Sequence, residues 1–170
     1  MPLVNDFRTQ PFQLANVGEA GKFLGKTSYW KLYVIENSFR ILIHSVLVAQ
    51  IGPDWWLYAT DKEIKRKTAN IQRDYANQPQ HTKPGRHEIY FVFLRDLNKI
   101  ILANVNLFRP LIPDIDNWIA RIETIRLPRN VIGHMNWLSS YDQSLVDELY
   151  RNVKMLIKRF SETNIPFSIP

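Results

Sequence analysis

The chain has no cysteine and only four histidines among its 170 residues. The absence of cysteine excludes disulfide bonds, thiolate metal sites and a cysteine nucleophile. The histidines are His44, His81, His87 and His134, and no two of them stand four residues apart. A zinc site is therefore not expected. Because a glycine-rich phosphate loop and a hydrolytic pair of carboxylates are also missing, nucleotide hydrolysis has no support and we expect no metal and no cofactor.

Long hydrophobic runs are also lacking. The longest candidate, Val34–Ile51, is interrupted by polar residues, namely Glu36, Asn37, Arg40, His44 and Gln50. We therefore expect no membrane-spanning segment and no membrane partner. The first residues do not show a basic segment followed by an apolar one, so no secretory signal is recognised and a cytoplasmic location is predicted.

The composition is that of a packed, basic protein. Hydrophobic residues make up 45% of the chain and aromatic residues 12%, which favours a globular domain over a disordered tail. The formal net charge of +6 modestly favours a polyanionic partner such as RNA or DNA. The densest basic run is Lys62–Lys67, for which a solvated helix face is a better explanation than a dedicated nucleic-acid patch.

Hydrophobic periodicity predicts an all-α, single-domain helical bundle of about five to six helices. A long helix begins at Thr27 or Ser28 and carries two adjoining apolar stripes, which predicts a largely buried position, and Gly52-Pro53 ends it. Further helices are predicted over residues 54–75, 89–106 and 114–125, from Pro128 onward, and after a capping box at Ser140–Gln143. The bundle is predicted over residues 27–162, between an irregular arm over residues 1–26, with a short helix around 17–23, and an extended tail over residues 163–170.

The most informative feature is the stretch Arg129–His134, which holds Arg129, Asn130, Gly133 and His134. An arginine can hold and neutralise a phosphate, and an imidazole can move protons near neutral pH, so such a cluster could cleave a phosphodiester without a metal. If Pro128 begins a helix, the amino-terminal end of that helix would add a favourable partial charge for phosphate.

Helix geometry places Asn130 and His134 on one face, about 40° apart, and Arg129 well to the side. A symmetric dimer would bring both copies of the cluster to one cleft. Gly133 costs roughly 1 kcal/mol of helix stability relative to alanine, and a partner helix or an RNA backbone approaching there would explain it. A structural explanation is more common for these residue types alone: an arginine paired with an acid, an asparagine cap and a partly buried histidine.

Residues 122–134 resemble the signature of the HEPN superfamily (higher eukaryotes and prokaryotes nucleotide-binding domains). That signature is an arginine, a polar residue and a histidine, with four to six residues between the arginine and the histidine. Here four residues separate Arg129 from His134. Three upstream segments, Tyr33–Arg40, Gly52–Trp56 and Phe93–Ile101, are similar to the branch first described at the C-terminus of a eukaryotic transcript-surveillance endonuclease. That branch also occurs as stand-alone bacterial proteins, and the resemblance spans about Ser28 to Phe160.

The resemblance implies a helical bundle that dimerises through the motif helix and acts as a metal-independent endoribonuclease on RNA. It implies that Arg129 holds the scissile phosphate, that His134 transfers protons, and that Asn130 orients the phosphate or His134. Glu36 is assigned a supporting role, although pairing with Arg40 explains it equally well. The expected products carry 2′,3′-cyclic phosphate and 5′-hydroxyl ends, and the expected role is that of a toxin or phage-defence effector.

One position departs from the family. Some bacterial members carry a tyrosine two residues after the histidine, which a partner nucleotidyltransferase modifies, whereas this chain has Asn136. Control by another antitoxin or regulatory protein stays open, and two alternatives to the enzyme also stay open: a non-catalytic HEPN module that binds RNA or a protein, and a purely structural helical dimer.

Several other residues have a structural and a functional interpretation. Trp55 and Trp56 could stack on bases but are better explained as core or interface residues. His44 lies in an apolar helix, which favours a core histidine with a satisfied hydrogen bond. His81 and His87 flank a loop and could contact RNA, although surface histidines are common in such loops.

Overall fold

The structure, a computed structural model, describes residues 12–170, which are helical with no β-strand among them. The predicted all-α class is confirmed, whereas the single-domain organisation and dimerisation stay predictions. The elements in chain order are α1 (Leu14–Leu24), a π-helical turn (Gly25–Tyr29), α2 (Trp30–Ile51), α3 (Trp55–Ala59), α4 (Lys62–Ala76), a 3-10 turn (Glu88–Phe91), α5 (Leu94–Ala103), α6 (Val105–Phe108), α7 (Ile115–Gly133) and α8 (Ser140–Ser161).

Helix α2 occupies the centre of the bundle. It packs against α8, α5, α3 and α6, and most of its second half is inaccessible to solvent. One predicted apolar stripe is buried over most of its length: Ile35, Phe39, Leu42 and Val46 are each at most 2% exposed, whereas Ala49 at its end is exposed. Gly52 ends the helix with a φ of +112°, a conformation that L-residues with side chains rarely adopt. The predicted central helix and its end are therefore confirmed.

The predicted irregular arm is wrong for Leu14–Leu24. These residues form α1, which continues through the π-helical turn into α2, so that the predicted short helix around 17–23 is confirmed and extended. Three glycines at positions 18, 21 and 25 weaken the local helix signal. Tertiary packing offsets that weakness, because Phe23 stacks on Trp137 with ring centroids 4.8 Å apart. The rest of the arm, residues 1–11, lies outside the described residues.

The predicted helix over residues 54–75 is two helices. Asp54 makes no capping bond from its side chain, whereas the Asp61 carboxylate accepts a 2.8 Å hydrogen bond from the Ile64 amide and begins α4.

The predicted helix over residues 89–106 is divided as well. Its first turn is the 3-10 turn, and Asn104 separates α5 from α6 by donating hydrogen bonds to the carbonyls of Ala59 and Ile100.

The predicted fourth and fifth helices are one helix, α7, with Pro128 in its interior. Proline lacks an amide hydrogen and normally ends or kinks a helix, which is why the sequence suggests a boundary there. Pro128 is instead buried with Ile122, Ile125 and Ile132 on the side of α7 that faces the core. Burial of this apolar stripe maintains the helix through the proline. Consequently the Arg129–His134 stretch lies at the carboxyl end of a long helix and not at the beginning of a short one.

The cap of helix α8 lies one residue before the predicted capping box. The Ser139 hydroxyl accepts a 3.1 Å hydrogen bond from the Asp142 amide, so Ser139 is the cap and Ser140 the first helical residue. Most of the predicted apolar stripe of α8 is buried, from Leu149 through Val153 and Leu156 to Phe160, whereas Leu145 is half-buried.

The carboxyl-terminal tail over residues 163–170 has no helix, as predicted, and it packs on the bundle. The Ser168 amide donates a 2.9 Å hydrogen bond to the Ser45 hydroxyl of α2. The ring of Phe167 lies 5.1 Å from that of Phe160. These contacts hold the tail against the central helix.

One helical stretch, Leu14–Ile51, is long and apolar enough by length and composition to cross a membrane, although the sequence alone suggested none. Half of its most apolar window is buried inside the fold, and the core helix of a soluble protein meets the same criterion. The finding is compatible with a soluble protein, and the cytoplasmic location stays a prediction.

His44 is a core histidine, as the sequence favoured. It is 7% exposed, and its Nδ1 accepts a 3.0 Å hydrogen bond from Nε1 of Trp55. The Trp55 ring stacks on His87, and both Trp55 and Trp56 are buried, which confirms their assignment to the core. Burial, with a smaller contribution from the nearby His87, lowers the pKa of His44 to about 4. Burial also lowers the pKa of His87.

The buried His44 should make stability pH-dependent. Between pH 6.5, the pKa of an unperturbed histidine, and pH 4, the unfolded chain binds a proton at this position that the folded chain does not. The contribution of His44 to the free energy of unfolding is therefore fully present above pH 6.5, and it falls by roughly 1–3 kcal/mol towards pH 4. Urea unfolding at pH 7, 6, 5 and 4 measures the slope. In His44→Asn, which retains an acceptor for Trp55 but cannot titrate, the slope should be smaller; an unchanged slope would contradict the assignment.

Candidate functional site

Arg129 of α7 is anchored by Glu36 of α2. Its Nε lies 3.4 Å from Oε2 of Glu36, and Oε1 of the same carboxylate lies 2.5 Å from Nη2 of Arg40. Arg40 also donates hydrogen bonds to the carbonyls of Ile89 and Val92. The side chains of Glu36 and Arg40 are only 13% and 12% exposed. Glu36 therefore both pairs with Arg40 and contacts Arg129, since its one carboxylate bridges the two arginines.

The guanidinium of Arg129 is held at one of its nitrogen atoms, and the other two are without a hydrogen-bond partner among the described residues. Its Nε contacts Glu36, whereas Nη1 and Nη2 form no hydrogen bond within residues 12–170. The guanidinium lies over the Phe93 ring, 5.4 Å from the centroid, in a cation–π contact. A β-carbon on Gly133 would lie 3.3 Å from Nη1. The missing side chain at Gly133 thus leaves room for the guanidinium of Arg129, while the approach of a partner helix or an RNA backbone at this glycine stays a prediction.

Asn130 and His134 are exposed at the end of α7. The backbone amide of His134 donates to the Asn130 carbonyl at 2.9 Å, and His134 is the last residue before the chain leaves the helix. The amides of Met135 and Asn136 then donate to the carbonyls of Ile132 and Val131, the paired bonds of a Schellman motif. Met135 takes the left-handed position of that motif, with a φ of +56°.

The position in the helix reverses one expectation. The motif was expected at the amino-terminal end of a helix, where the dipole favours an anion. It lies instead at the carboxyl end of α7, where unpaired carbonyls give a partial negative charge. The helix dipole would therefore not favour an anion at this position, and any attraction for one would have to come from cationic side chains.

Two cavities lie on either side of Arg129. The first, called the tyrosine pocket, has a volume of about 400 Å³, and its lining includes Tyr29, Tyr33, Tyr90, Glu36, Asn37, Arg40, Arg129, Gly133 and Met135. The second, called the cationic groove, has a volume of about 350 Å³, and its lining includes Lys67, Phe93, Arg95, Asp96, Arg126, Arg129 and Asn130. Arg129 is common to both. Its position between them suits a group that binds a phosphate joining two nucleotides.

The structure brings together some predicted site residues and not others. Arg129 and Glu36 are in contact, and Arg129 and Asn130 line the same groove. His134 lines neither the tyrosine pocket nor the cationic groove, although Gly133 and Met135 on either side of it line the first. Within one chain, therefore, His134 shares neither of these two cavities with Arg129.

The sequence did not single out the aromatic and cationic residues around Arg129. The sequence pattern places Phe93 on the apolar stripe of the predicted helix over residues 89–106, Arg95 only in the family-like segment Phe93–Ile101, and Lys67 on a solvated helix face. The sequence does contain one indication of a binding surface at this place: Phe93 is a large aromatic residue two positions before an arginine, at the beginning of a helix. Of the loop histidines, His87 is packed against Trp55, whereas His81 is exposed.

No group of three or more histidine, aspartate or glutamate side chains able to hold a metal ion occurs within residues 12–170.

Comparisons with protein-family models, with curated proteins and with solved structures found no match for this chain. Assignment to the HEPN superfamily therefore stays a prediction that depends on the motif residues and their order.

The left-handed residue after His134 should be replaceable with a gain in stability. A side chain in this conformation costs about 1–2 kcal/mol, and Met135 is 78% exposed, so its side chain contributes little packing. Met135→Gly is expected to raise the free energy of unfolding by about 1 kcal/mol, or the Tm by about 2–4 °C. Met155→Gly is the matched control, because Met155 is an exposed methionine inside α8 and should lose a similar amount. Thermal unfolding of both variants by circular dichroism checks the opposite signs.

Proposed function

We propose that the protein is a metal-independent endoribonuclease that cleaves RNA to 2′,3′-cyclic phosphate and 5′-hydroxyl ends. The observation that carries the proposal is the hydrogen bonding of the Arg129 guanidinium. Its Nε is fixed by Glu36, and its two terminal nitrogens are not engaged by other residues within the described chain. A guanidinium presented in this way can form two parallel hydrogen bonds with a phosphate.

The residues divide the chemistry as follows. Arg129 neutralises the scissile phosphate and stabilises the charge that grows as the 2′-oxygen attacks the phosphorus. His134 takes the proton from the 2′-hydroxyl or gives a proton to the departing 5′-oxygen. Asn130, which shares the groove with Arg129, orients the phosphate. Glu36 holds Arg129, so it acts through another residue and not on the substrate.

A homodimer with a composite active site accounts for the separation of His134 from the two cavities. Across a two-fold axis, the exposed end of α7 in one chain could place its His134 beside Arg129 of the other. Exposed apolar side chains near this end support a contact surface, since Leu127, Met135 and Tyr141 are 62%, 78% and 69% exposed. Two histidines at one cleft could also divide the two proton transfers.

A non-catalytic module that binds RNA or a partner protein is the second candidate. The observation that favours it is the exposed position of His134 outside both cavities in the single chain. The role as a toxin or phage-defence effector, and control by an antitoxin or regulatory protein, belong to the proposal through the family resemblance alone. Because Asn136 stands where a modifiable tyrosine would be needed, such control would not use nucleotidyl transfer at that position.

The decisive experiment is cleavage of a labelled mixed-sequence RNA in EDTA, beside DNA of the same sequence. The native chain should cut RNA only, because DNA lacks the attacking hydroxyl. His134→Ala should lose at least about 100-fold in rate, the usual contribution of general acid–base catalysis. Product ends are identified by mass spectrometry. Intact RNA with a folded native protein would favour the binding module, and equal cutting by His134→Ala would place the activity elsewhere.

The composite site is tested at Leu127. Leu127→Glu places a charge on the proposed contact surface and should convert the dimer to a monomer, with loss of RNA cleavage. Leu102→Glu is the matched control, because Leu102 is 58% exposed on α5 and outside that surface. Light scattering after size-exclusion chromatography measures the mass of each variant. A native monomer, or a Leu127→Glu monomer that cuts RNA at the native rate, would contradict a composite site.

A further inference from the structure

We infer that the cationic groove is the track for the RNA strand beside the scissile phosphate, with one base seated against Phe93. The inference rests on the proposed function in taking RNA as the ligand. It goes beyond the motif residues by naming a surface on α4, α5 and α7, together with the roles of Lys67, Phe93 and Arg95.

The charge of the groove is the first argument. Lys67 of α4, Arg95 of α5, and Arg126 and Arg129 of α7 line it, against one carboxylate, Asp96, so the lining carries a net charge of +3. Cations from three separate helices converge on one groove. Such a convergence is what a polyanionic backbone requires, because each phosphate needs its own nearby positive charge.

Acidic neighbours outside the lining pair with three of the four cations and reduce the charge of the surrounding surface. Glu63 pairs with Lys67 at 2.7 Å, Glu123 with Arg126 at 2.6 Å and Glu36 with Arg129 at 3.4 Å, although none of these acids lines the groove. The first two pairs are the more easily exchanged. These are pairs between neighbouring turns of one helix, which contribute little and can exchange for a phosphate. Arg95 is exposed and forms no ion pair within residues 12–170.

Phe93 gives the groove a second kind of contact. Its ring is 53% exposed, which is unusual for a phenylalanine at the beginning of a helix inside a bundle. The guanidinium of Arg129 lies over the ring at 5.4 Å, so the ring stands directly beside the proposed scissile phosphate. An exposed aromatic ring next to a line of cations is the arrangement by which proteins stack single-stranded bases while binding the backbone.

The size of the groove fits a short strand and not a duplex. Its volume of about 350 Å³ corresponds to roughly one nucleotide and its phosphate. Base stacking on Phe93 also requires an unpaired base, because the faces of paired bases are covered by their neighbours. We therefore assign the groove to single-stranded RNA, and sequence-independent binding is expected because every base has a stacking face.

The test measures binding apart from cleavage. A fluorescein-labelled single-stranded RNA of about 12 nucleotides is titrated with the His134→Ala chain, which cannot transfer the proton, at several salt concentrations. The double variant Lys67→Ala/Arg95→Ala should bind at least about tenfold more weakly, and the slope of log affinity against log salt should fall by about 1.4, or 0.7 for each lost phosphate contact. Fluorescence anisotropy gives both quantities.

The matched control is Arg151→Ala/Lys158→Ala, which removes one arginine and one lysine from the exposed side of α8. This control has the same net charge as the groove variant, and it should retain the affinity and most of the salt slope. Equal losses in the two double variants would mean that RNA responds to overall charge alone. That result would overturn the inference.

Phe93 is tested by its own pair of substitutions. Phe93→Leu should weaken binding by about 5- to 100-fold without changing the salt slope, because it removes stacking and no charge, whereas Phe93→Trp should retain the affinity. Equal affinity of Phe93→Leu and the native residue would overturn the seat for a base. The binding and cleavage results separate the two proposals. If the groove variants weaken RNA binding but the native chain does not cut RNA in EDTA, the proposed nuclease activity is wrong and the RNA-binding groove is supported. If the native chain cuts RNA but the groove variants bind it with unchanged affinity, the nuclease is supported and the groove assignment is wrong.

Discussion

The interaction on which the site depends is the shared carboxylate of Glu36, which joins Arg40 to Arg129. Two largely buried charges are costly to remove from water and are tolerated only when they are paired and hydrogen-bonded. Arg40 meets that requirement through Glu36 and two main-chain carbonyls. The pair fixes the carboxylate, and the carboxylate in turn orients Arg129 from a helix remote in sequence. The proposed phosphate-binding group is thus supported by the core of the bundle.

The sequence predicted the helical class, the central helix and its end because these depend on strong local signals. Apolar stripes in α2 and the Gly52-Pro53 pair each act within a few residues. It misjudged α1, where glycines weaken the signal and the ring of Phe23 on Trp137 restores it. It misplaced the boundary at Pro128, where burial outweighs the missing hydrogen bond. Long-range packing is not visible in a local pattern.

The candidate site was predictable in part for the same reason. Arg129, Asn130 and His134 are neighbours in the chain, and the resemblance to HEPN domains identified them together. The surface around them was not predictable, because Lys67, Phe93 and Arg95 come together with Arg129 only when the fold brings residues of α4, α5 and α7 to one groove. The sign of the helix dipole at the motif was also predicted wrongly, since it depends on where the helix ends and not on which residues it contains.

The end of α7 has a consequence for how such a chain can change over evolutionary time. Arg129 and Glu36 are tied to the core, so replacing either residue disturbs packing and ion pairing together. Asn130 and His134 are exposed, and the Schellman bonds around His134 come from the backbone, which any side chain permits. A lineage could therefore replace His134 in one step at almost no structural cost while keeping an arginine-lined surface intact. Under the proposed function, that single step would convert a catalyst into a binder, and the reverse change would require regaining only one residue.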